Sequence, residues 1–528
     1  MLDLARGGRS ALLVAATGAG KTLAGFLPTI CELAERPSEG LHTLYVSPLK
    51  ALAVDVQRNL IGPLEEMGLP IRVETRTGDT PSDRKARQRL KPPQVLLTTP
   101  ESLSLLLSYP DAALMFEYLR TIVVDELHGF AKEKRGDLLS LSMSRLEQLA
   151  PGLRRVGLSA TISDPDAYRS WLAPDADMDL VDLVIGDQGA EPDLSILIPE
   201  NKIPWGGHSG YHAIADVMRL IEQHKTTLVF SNTRGLAELI FQKLWDENDQ
   251  GLPIGIHHGS LSVEARRKVE AAMSAGKLRG LVATASLDLG IDWGDVDLVI
   301  QMGAPKGSSR LVQRIGRANH RLDEPSKALL VPANRFEVVE CQAALEAAEE
   351  GAQDTPPSRP GALDVLSQHV LGTACAGAFD PHRLYREVVS ASPYQGLTRE
   401  GFDKVVEFVT TGGYALANYE RYARLKRTPD GRYRVAHPRI AQQYRLNVGT
   451  IVEAPMVRVR LARLNAFLQE RLSGMRVVQL FGREEDTARR FGVLNREHLE
   501  AHLRSITIYA VFFPAVEVLT AVAMALLL

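Results

Sequence analysis

A chain of 528 residues with 45% hydrophobic and 24% charged side chains has room for about three domains at roughly 100–200 residues each, with ample material for their cores. Its net charge of −3 excludes an argument for nucleic-acid binding from overall charge, so any such binding must come from local basic surfaces. Cys31, Cys341 and Cys375 lie far apart with no CxxC or Cys/His spacing, which argues against a metal or redox centre and for buried small residues in a reducing compartment.

In chain order, residues 1–200 alternate short β-branched runs (ALLVAA, LHTLYVSP, QVLLTTP, RTIVVDE, RRVGLSAT) with longer amphipathic stretches, the pattern of βαβ units and a parallel sheet. ALLVAATGAG near the start is apolar but short, and reads as a buried strand rather than a secretory signal. PENKIPWGGHSG (199–210) has the composition of a linker, and the alternation resumes over 205–350 in TTLVFSNT, GIHHGS, RGLVATAS, DLVIQMG and KALLVP. After a second linker, EEGAQDTPPSRP (349–360), residues 361–437 turn helical. They end in RLKRTPDGRYRVAHP, two basic extended runs about a Pro-Asp-Gly turn, which predicts a winged helix.

AATGAGKT (15–22) follows a strand and opens a helix, the context of a phosphate loop. The backbone over Thr17, Gly18, Ala19 and Gly20 can curl around phosphate at a helix N-terminus. Lys21 is expected to reach the β/γ-phosphates of ATP, and Thr22 to hold Mg2+. About a hundred residues later TIVVDELH ends a strand on two carboxylates. Asp125 is expected to bind Mg2+ through water, and Glu126 to orient and deprotonate the attacking water.

DELH (125–128) with GLSATI (157–162) resembles motifs II and III of superfamily-two DExH-box helicases. SPLKALA (47–53), RTGDT (76–80) and TTPESL (98–103) resemble the segments by which the first RecA-like domain of such enzymes grips a nucleic-acid backbone. VFSNTRGLAE (229–238), HHGSLS (257–262), VATASLDLGIDWGDVDLVIQ (282–301) and QRIGRANHR (313–321) resemble motifs IV to VI. The wording SPLKALAVD, VETRTGDT and APKGSSRLVQRIGRANHR is similar to the Lhr (large helicase-related) family, in particular its ligase-associated branch in bacterial DNA damage response, over roughly residues 1–460.

The resemblance implies an α/β fold of two tandem RecA-like domains followed by a winged helix, with a truncated fourth domain starting over 438–456. It implies ATP between the RecA-like domains, with Arg317 as the main arginine-finger candidate and Arg314 the second. Asp292 stands near the nucleotide. His128, Ser159, Thr161, Gln313 and His320 are coupling residues, His320 standing where many relatives have arginine. Lys50, Thr99, Ser231, Thr233 and Thr284 are the positions matched to strand contacts, while the basic wing (Arg424, Lys426, Arg427, Arg432, Arg434) either touches nucleic acid or is merely solvated. The implied activity is an ATP-dependent, 3′-to-5′ DNA helicase or translocase in DNA repair. Its implied partners are single-stranded DNA or DNA with a 3′ tail (RNA or a hybrid remaining open), an ATP-dependent DNA ligase and an associated exonuclease, in the cytoplasm. The alternative is a truncated nucleotide-binding fragment without unwinding activity.

Two features depart from that family. The chain begins within the helix that should follow an adenine-reading glutamine segment, so the first domain is expected to be N-terminally truncated. Residues 457–528 are instead similar to the transmembrane domain of ABC exporters, in RLNAFLQE followed by SGMRVVQLFGRE, and make up a helical, partly membrane-type tail. Residues 505–528 supply 24 mostly apolar residues, enough to cross a hydrocarbon core of roughly 30 Å; a buried amphipathic helix is the alternative. The two resemblances meet in VRVRL (457–461), which predicts a chimeric reading frame whose function is read from Ala15 to about Pro455. Membrane contact is expected only through the tail.

Overall fold

The computed structural model describes residues 1–450 except 17–18, 130, 132, 161, 187–191, 208, 285–286, 288–295, 317–324, 353–358 and 414–422, together with residues 492, 496, 499, 500 and 503. It divides into two units, Met1–Ile451 and Val452–Leu528. Among the described residues no helix is long and apolar enough to cross a membrane. The candidate span 505–528 lies outside them.

In the first unit, β1 (Ser10–Val14), β2 (Thr43–Val46), β3 (Val73–Arg76), β4 (Val95–Thr98), β5 (Thr121–Val124), β6 (Arg154–Ser159) and β7 (Val181–Ile185) form one sheet in the order β3-β4-β2-β5-β6-β1-β7. Every pairing is parallel. Strands β2, β4, β5 and β6 are buried at every position, as a parallel sheet covered by helices on both faces requires. Because the strands are parallel, all their C-terminal ends lie along one edge, where ligands of such sheets bind.

A second parallel sheet joins β8 (Asp193–Ile196), β9 (Thr227–Ser231), β10 (Ile254–His257), β11 (Gly280–Ala283), β12 (Leu298–Met302) and β13 (Lys327–Val331) in the order β10-β11-β9-β12-β13-β8. This corrects the expected boundary at residue 200. Strand β8 pairs with β13, so residues 193–196 belong to the second domain. The segment read as a linker is docked there too: Arg335 N–H donates to the Pro204 carbonyl at 3.0 Å, and Asn334 Nδ2 to that of Gly207 at 2.8 Å. The sequence signal was polarity, which marks surface equally well whether it is loose or pinned.

Helices Leu363–Ala376, Pro381–Val389 and Arg399–Thr411 precede a hairpin of β14 (Leu425–Arg427) and β15 (Tyr433–Val435), as expected of a winged helix. Gly431, with φ +82°, supplies the left-handed residue of the turn. Helix Pro438–Leu446, expected to open a fourth domain, instead adds Ala441 and Tyr444 to this core. Its Tyr444 hydroxyl lies where a Cβ at position 372 would stand, so Gly372 is what permits the approach. Cys341 and Cys375 are buried as expected, and burial pushes their thiols up to about 12 and about 11; Cys31 is half-buried.

The winged helix shares its core with the first domain. Leu138 and Leu141 of helix Lys134–Leu149 pack in the same cluster as Leu366, Val370, Leu384 and Phe402. Arg145 Nη1 donates to Glu387 Oε2 at 2.9 Å, and His369 Nε2 stands 3.5 Å from the other carboxylate oxygen. Ala362 N–H donates to Asp137 at 3.0 Å, Lys134 pairs with Asp364 at 3.1 Å, and Arg445 donates to the Ser108 carbonyl at 2.8 Å.

Burial alone would raise the Glu387 carboxyl, but His369 and Arg145 outweigh it and hold it below its ordinary value. A depressed carboxyl stabilises the fold above the ordinary carboxylate range, and that contribution disappears as pH falls through the lowered value. Urea midpoints are therefore expected to fall more steeply below about pH 4 in the wild type than in Glu387→Gln. Parallel curves would show that the pair carries no pH-linked stability.

Candidate nucleotide and nucleic-acid edge

The strand order β5-β6-β1 sets three chemical segments side by side at the C-terminal edge of the first sheet. Beyond β1, Gly20 takes φ +72° as the N-cap of helix Lys21–Glu35, a turn in which any side chain would be strained. Lys21 Nζ donates to the carbonyls of Ala15 and Ala16 at 2.8 and 2.9 Å, so the ammonium is held within its own loop. Ala19 and Thr22 flank it at the helix entry. Thr17 and Gly18 lie outside the described residues, as do Thr161, Asp292, Arg317 and His320.

Beyond β5, Asp125 is 4% exposed. Its backbone N–H donates to the Val46 carbonyl at 2.9 Å, its Oδ1 accepts the Glu126 N–H at 2.8 Å, and its Oδ2 accepts the Tyr45 hydroxyl. Burial and the neighbouring Glu126 charge push the Asp125 carboxyl up to about 6, against the opposing pull of Tyr45, the Glu126 N–H and Lys21. Two adjacent carboxyls offer hard oxygen donors of the kind Mg2+ takes, and Thr22, on the phosphate-loop helix, carries a third. Glu126 has φ +48°, a conformation that costs a residue other than glycine about 1–3 kcal/mol and persists where its surroundings impose it.

At the end of β6, Ser159 meets the other end of the DELH turn. The Ala160 N–H donates to His128 Nδ1 at 3.3 Å, and Ser159 Oγ lies 3.0 Å from the same nitrogen. With Nδ1 accepting, the ring proton belongs on Nε2, which faces Glu126 Oε2 at 3.5 Å. His128 and Ser159, both named as coupling residues, are thus in contact, and the contact runs on to Glu126.

The strand-contact candidates separate on inspection. Lys50 is exposed, with Nζ 3.0 Å from Asp79, and Thr233 is exposed at the N-cap of helix Arg234–Asp246. Thr99, Ser231 and Thr284 are buried to 4%, 0% and 8% exposure. Thr99 accepts the Ser102 N–H as a helix cap, and Ser231 Oγ donates to the Thr233 carbonyl. Side chains so enclosed also brace their own loops.

Arg314 is enclosed likewise. It is 1% exposed, with Nη1 2.5 Å from Gln301 Oε1 and its guanidinium 4.8 Å from the Phe230 ring centre. That makes it a strut inside the second domain, while Gln313, beside it, is half-buried. Arg314→Met is expected to cost about 1–3 kcal/mol by leaving the Gln301 amide oxygen unpaired. Hydrogen exchange at β12 would report it as faster opening there, and unchanged protection would refute the strut.

Sequence reasoning missed Tyr45, Gln301 and Phe230. Each sits in an apolar strand run, and a polar atom bonded across strands leaves no local pattern. On the wing, Lys426 stands directly opposite Arg434 across the β14–β15 pair, and both are exposed. Like charges set face to face destabilise a hairpin, which favours an anionic ligand there over simple solvation.

A DEAD/DEAH box helicase model matches residues 1–169, a helicase conserved C-terminal domain model 211–321, and a winged-helix model of large helicase-related protein 346–477. A model of the ABC transporter transmembrane region matches 457–528. The chain is 36% identical to the ATP-dependent helicase Lhr-Core of Methanothermobacter thermautotrophicus over 473 residues, covering 85% of this chain and 55% of the relative. It is also 36% identical to the Lhr helicase/probable uracil glycosylase of Mycolicibacterium smegmatis over 451 residues, covering 76% of this chain and 30% of the relative. The structure of Mycobacterium smegmatis helicase Lhr bound to ssDNA and AMP-PNP is similar with a TM-score of 0.77 at 35% identity, covering 86% of this chain and 60% of that one. The DUF1998 helicase MrfA bound to DNA shares the fold at 22% identity and a TM-score of 0.67, covering 84% of this chain and 57% of that one. The chain spans about half the length of the Lhr-Core relatives it matches.

Proposed function

The chain belongs to the large helicase-related (Lhr) family, and from that premise we propose that it is an ATP-dependent DNA helicase or translocase. The observation that carries the reading is the division of one sheet edge. The phosphate loop and Asp125–Glu126 follow β1 and β5 and Ser159 ends β6, while the segments bearing Lys50 and Thr99 follow β2 and β4 on the other half. Nucleotide chemistry and strand contact would then be neighbours on a single rigid sheet.

In this reading Lys21 exchanges the loop carbonyls for the β/γ-phosphates of ATP. Thr22 and Asp125 hold Mg2+, which when bound neutralises charge on the phosphate oxygens. Glu126 orients the attacking water and accepts its proton, and His128 links Glu126 to Ser159. Arg317 supplies positive charge from the second domain as the γ-phosphate leaves. A relative 35% identical is described as bound to ssDNA and AMP-PNP, which supports single-stranded DNA as the track. Movement 3′ to 5′, a role in DNA repair, partnership with an ATP-dependent DNA ligase and an exonuclease, and a cytoplasmic location complete the proposal.

ATP turnover with and without single-stranded DNA tests it. Stimulation by DNA is expected, with displacement of a strand from 3′-tailed but not 5′-tailed duplexes. Nucleotide binding with no DNA response would identify a nucleotide-binding fragment instead. For the wing, changing Lys426 and Arg434 together to Gln is expected to lower the slope of log affinity against log salt by roughly 1.5–2. An unchanged slope would return the wing to mere solvation.

A further inference from the structure

Tyr45 is fully buried in the middle of β2, the strand that runs into the SPLK segment of the nucleic-acid half. Its ring stacks on Phe26 of the phosphate-loop helix, with centres 5.1 Å apart. Its hydroxyl donates to Asp125 Oδ2 across the β2–β5 pairing, where Val46 is level with Val124. Both oxygens of Asp125 are therefore fixed, Oδ1 by the Glu126 N–H and Oδ2 by Tyr45. A carboxylate with two free torsions is thereby reduced to one orientation before any ligand arrives. None of the recognised segments assigns this tyrosine a role.

We propose that Tyr45 is a positioning residue for the metal-nucleotide site, holding the Asp125 carboxylate in the orientation that receives Mg2+ with ATP. This rests on the reading of the edge as an ATP site. The hydroxyl does not touch nucleotide and acts through Asp125. Preorganising an acceptor favours the metal-bound form, because the orienting cost is met in the folded protein beforehand. The stack on Phe26 makes the device part of the phosphate-loop helix packing, so the loop and the carboxylate are set by one side chain.

Tyr45→Phe removes the hydroxyl and keeps the ring. In the full chain, calorimetric binding of AMP-PNP is measured in Mg2+ and again in EDTA, beside thermal melting. Losing a hydrogen bond to a charged group is expected to weaken binding in Mg2+ about ten-fold, with EDTA binding unchanged and melting lowered because the buried Oδ2 loses its donor. In an Asp125→Asn background the same change should be silent. Equal Mg2+-dependent binding in Tyr45→Phe and wild type would overturn the proposal. So would a parallel loss in EDTA, which marks a packing role, or an additive effect in Asp125→Asn. Phe26→Leu provides the packing control, lowering melting while leaving the ratio of Mg2+ to EDTA binding intact. If the wild type itself binds AMP-PNP no better in Mg2+ than in EDTA, the ATP-site reading fails and the proposal falls with it, a result distinct from a silent Tyr45→Phe.

Discussion

Glu126→Gln is expected to reduce ATP turnover by roughly 10²–10⁴-fold while nucleotide binding persists. The amide keeps the shape that faces His128 Nε2 at 3.5 Å, and its backbone N–H still donates to Asp125 Oδ1. What is lost is an acceptor for the proton of the attacking water. One further consequence separates this from general damage. Removing the Glu126 charge relieves Asp125, whose carboxyl it helps push up, so the variant should melt no lower than wild type and bind Mg2+-nucleotide at least as well at pH 6. Single-turnover hydrolysis and calorimetry check the two halves independently. Turnover retained within two-fold would remove Glu126 from the chemistry.

Glu387→Ala is expected to destabilise the first unit by about 3–5 kcal/mol, because it leaves Arg145 and His369 against a buried, uncompensated gap. The loss should appear in both the winged helix and the first domain, since Leu138 and Leu141 belong to the same cluster as the winged-helix residues. Replacing Arg145, His369 and Glu387 together with apolar residues of similar volume should recover most of the stability, as buried ion pairs often tolerate such exchange. Urea unfolding followed by hydrogen exchange in helix Lys134–Leu149 and helix Pro381–Val389 measures both. Exchange rising in only one of these helices would show that the two parts unfold separately.

The nucleotide half of the first sheet was legible in the sequence because its signals are local. A glycine loop between strand and helix, and two carboxylates ending an apolar run, can be read within eight residues. The strand contacts were less legible, since Thr99 and Ser231 fit the expected spacing yet serve as a cap and a loop brace. Arg314 shows the same limit: its position beside Gly316 is local, but its burial depends on Gln301 and Phe230 on other strands. Tyr45 lies 80 residues before Asp125, and only the strand order brings them together. Strands β3, β7 and β8 went unmarked because each is short and partly polar. The limit at 200 slipped because a polar stretch was taken for a boundary where strand pairing decides, and the limit at 437, implied by the resemblance, moved because helix Pro438–Leu446 packs into the winged-helix core.

The core shared by helix Lys134–Leu149 and the winged helix bears on how these parts can be inherited. A module joined only by a linker can be exchanged between genes and still fold. This winged helix would arrive in a new host lacking Leu138, Leu141 and the Arg145 guanidinium, its apolar face open and Glu387 without its arginine. The two segments, more than 200 residues apart in the chain, therefore form one heritable unit: a recombination point between them separates halves of the same core.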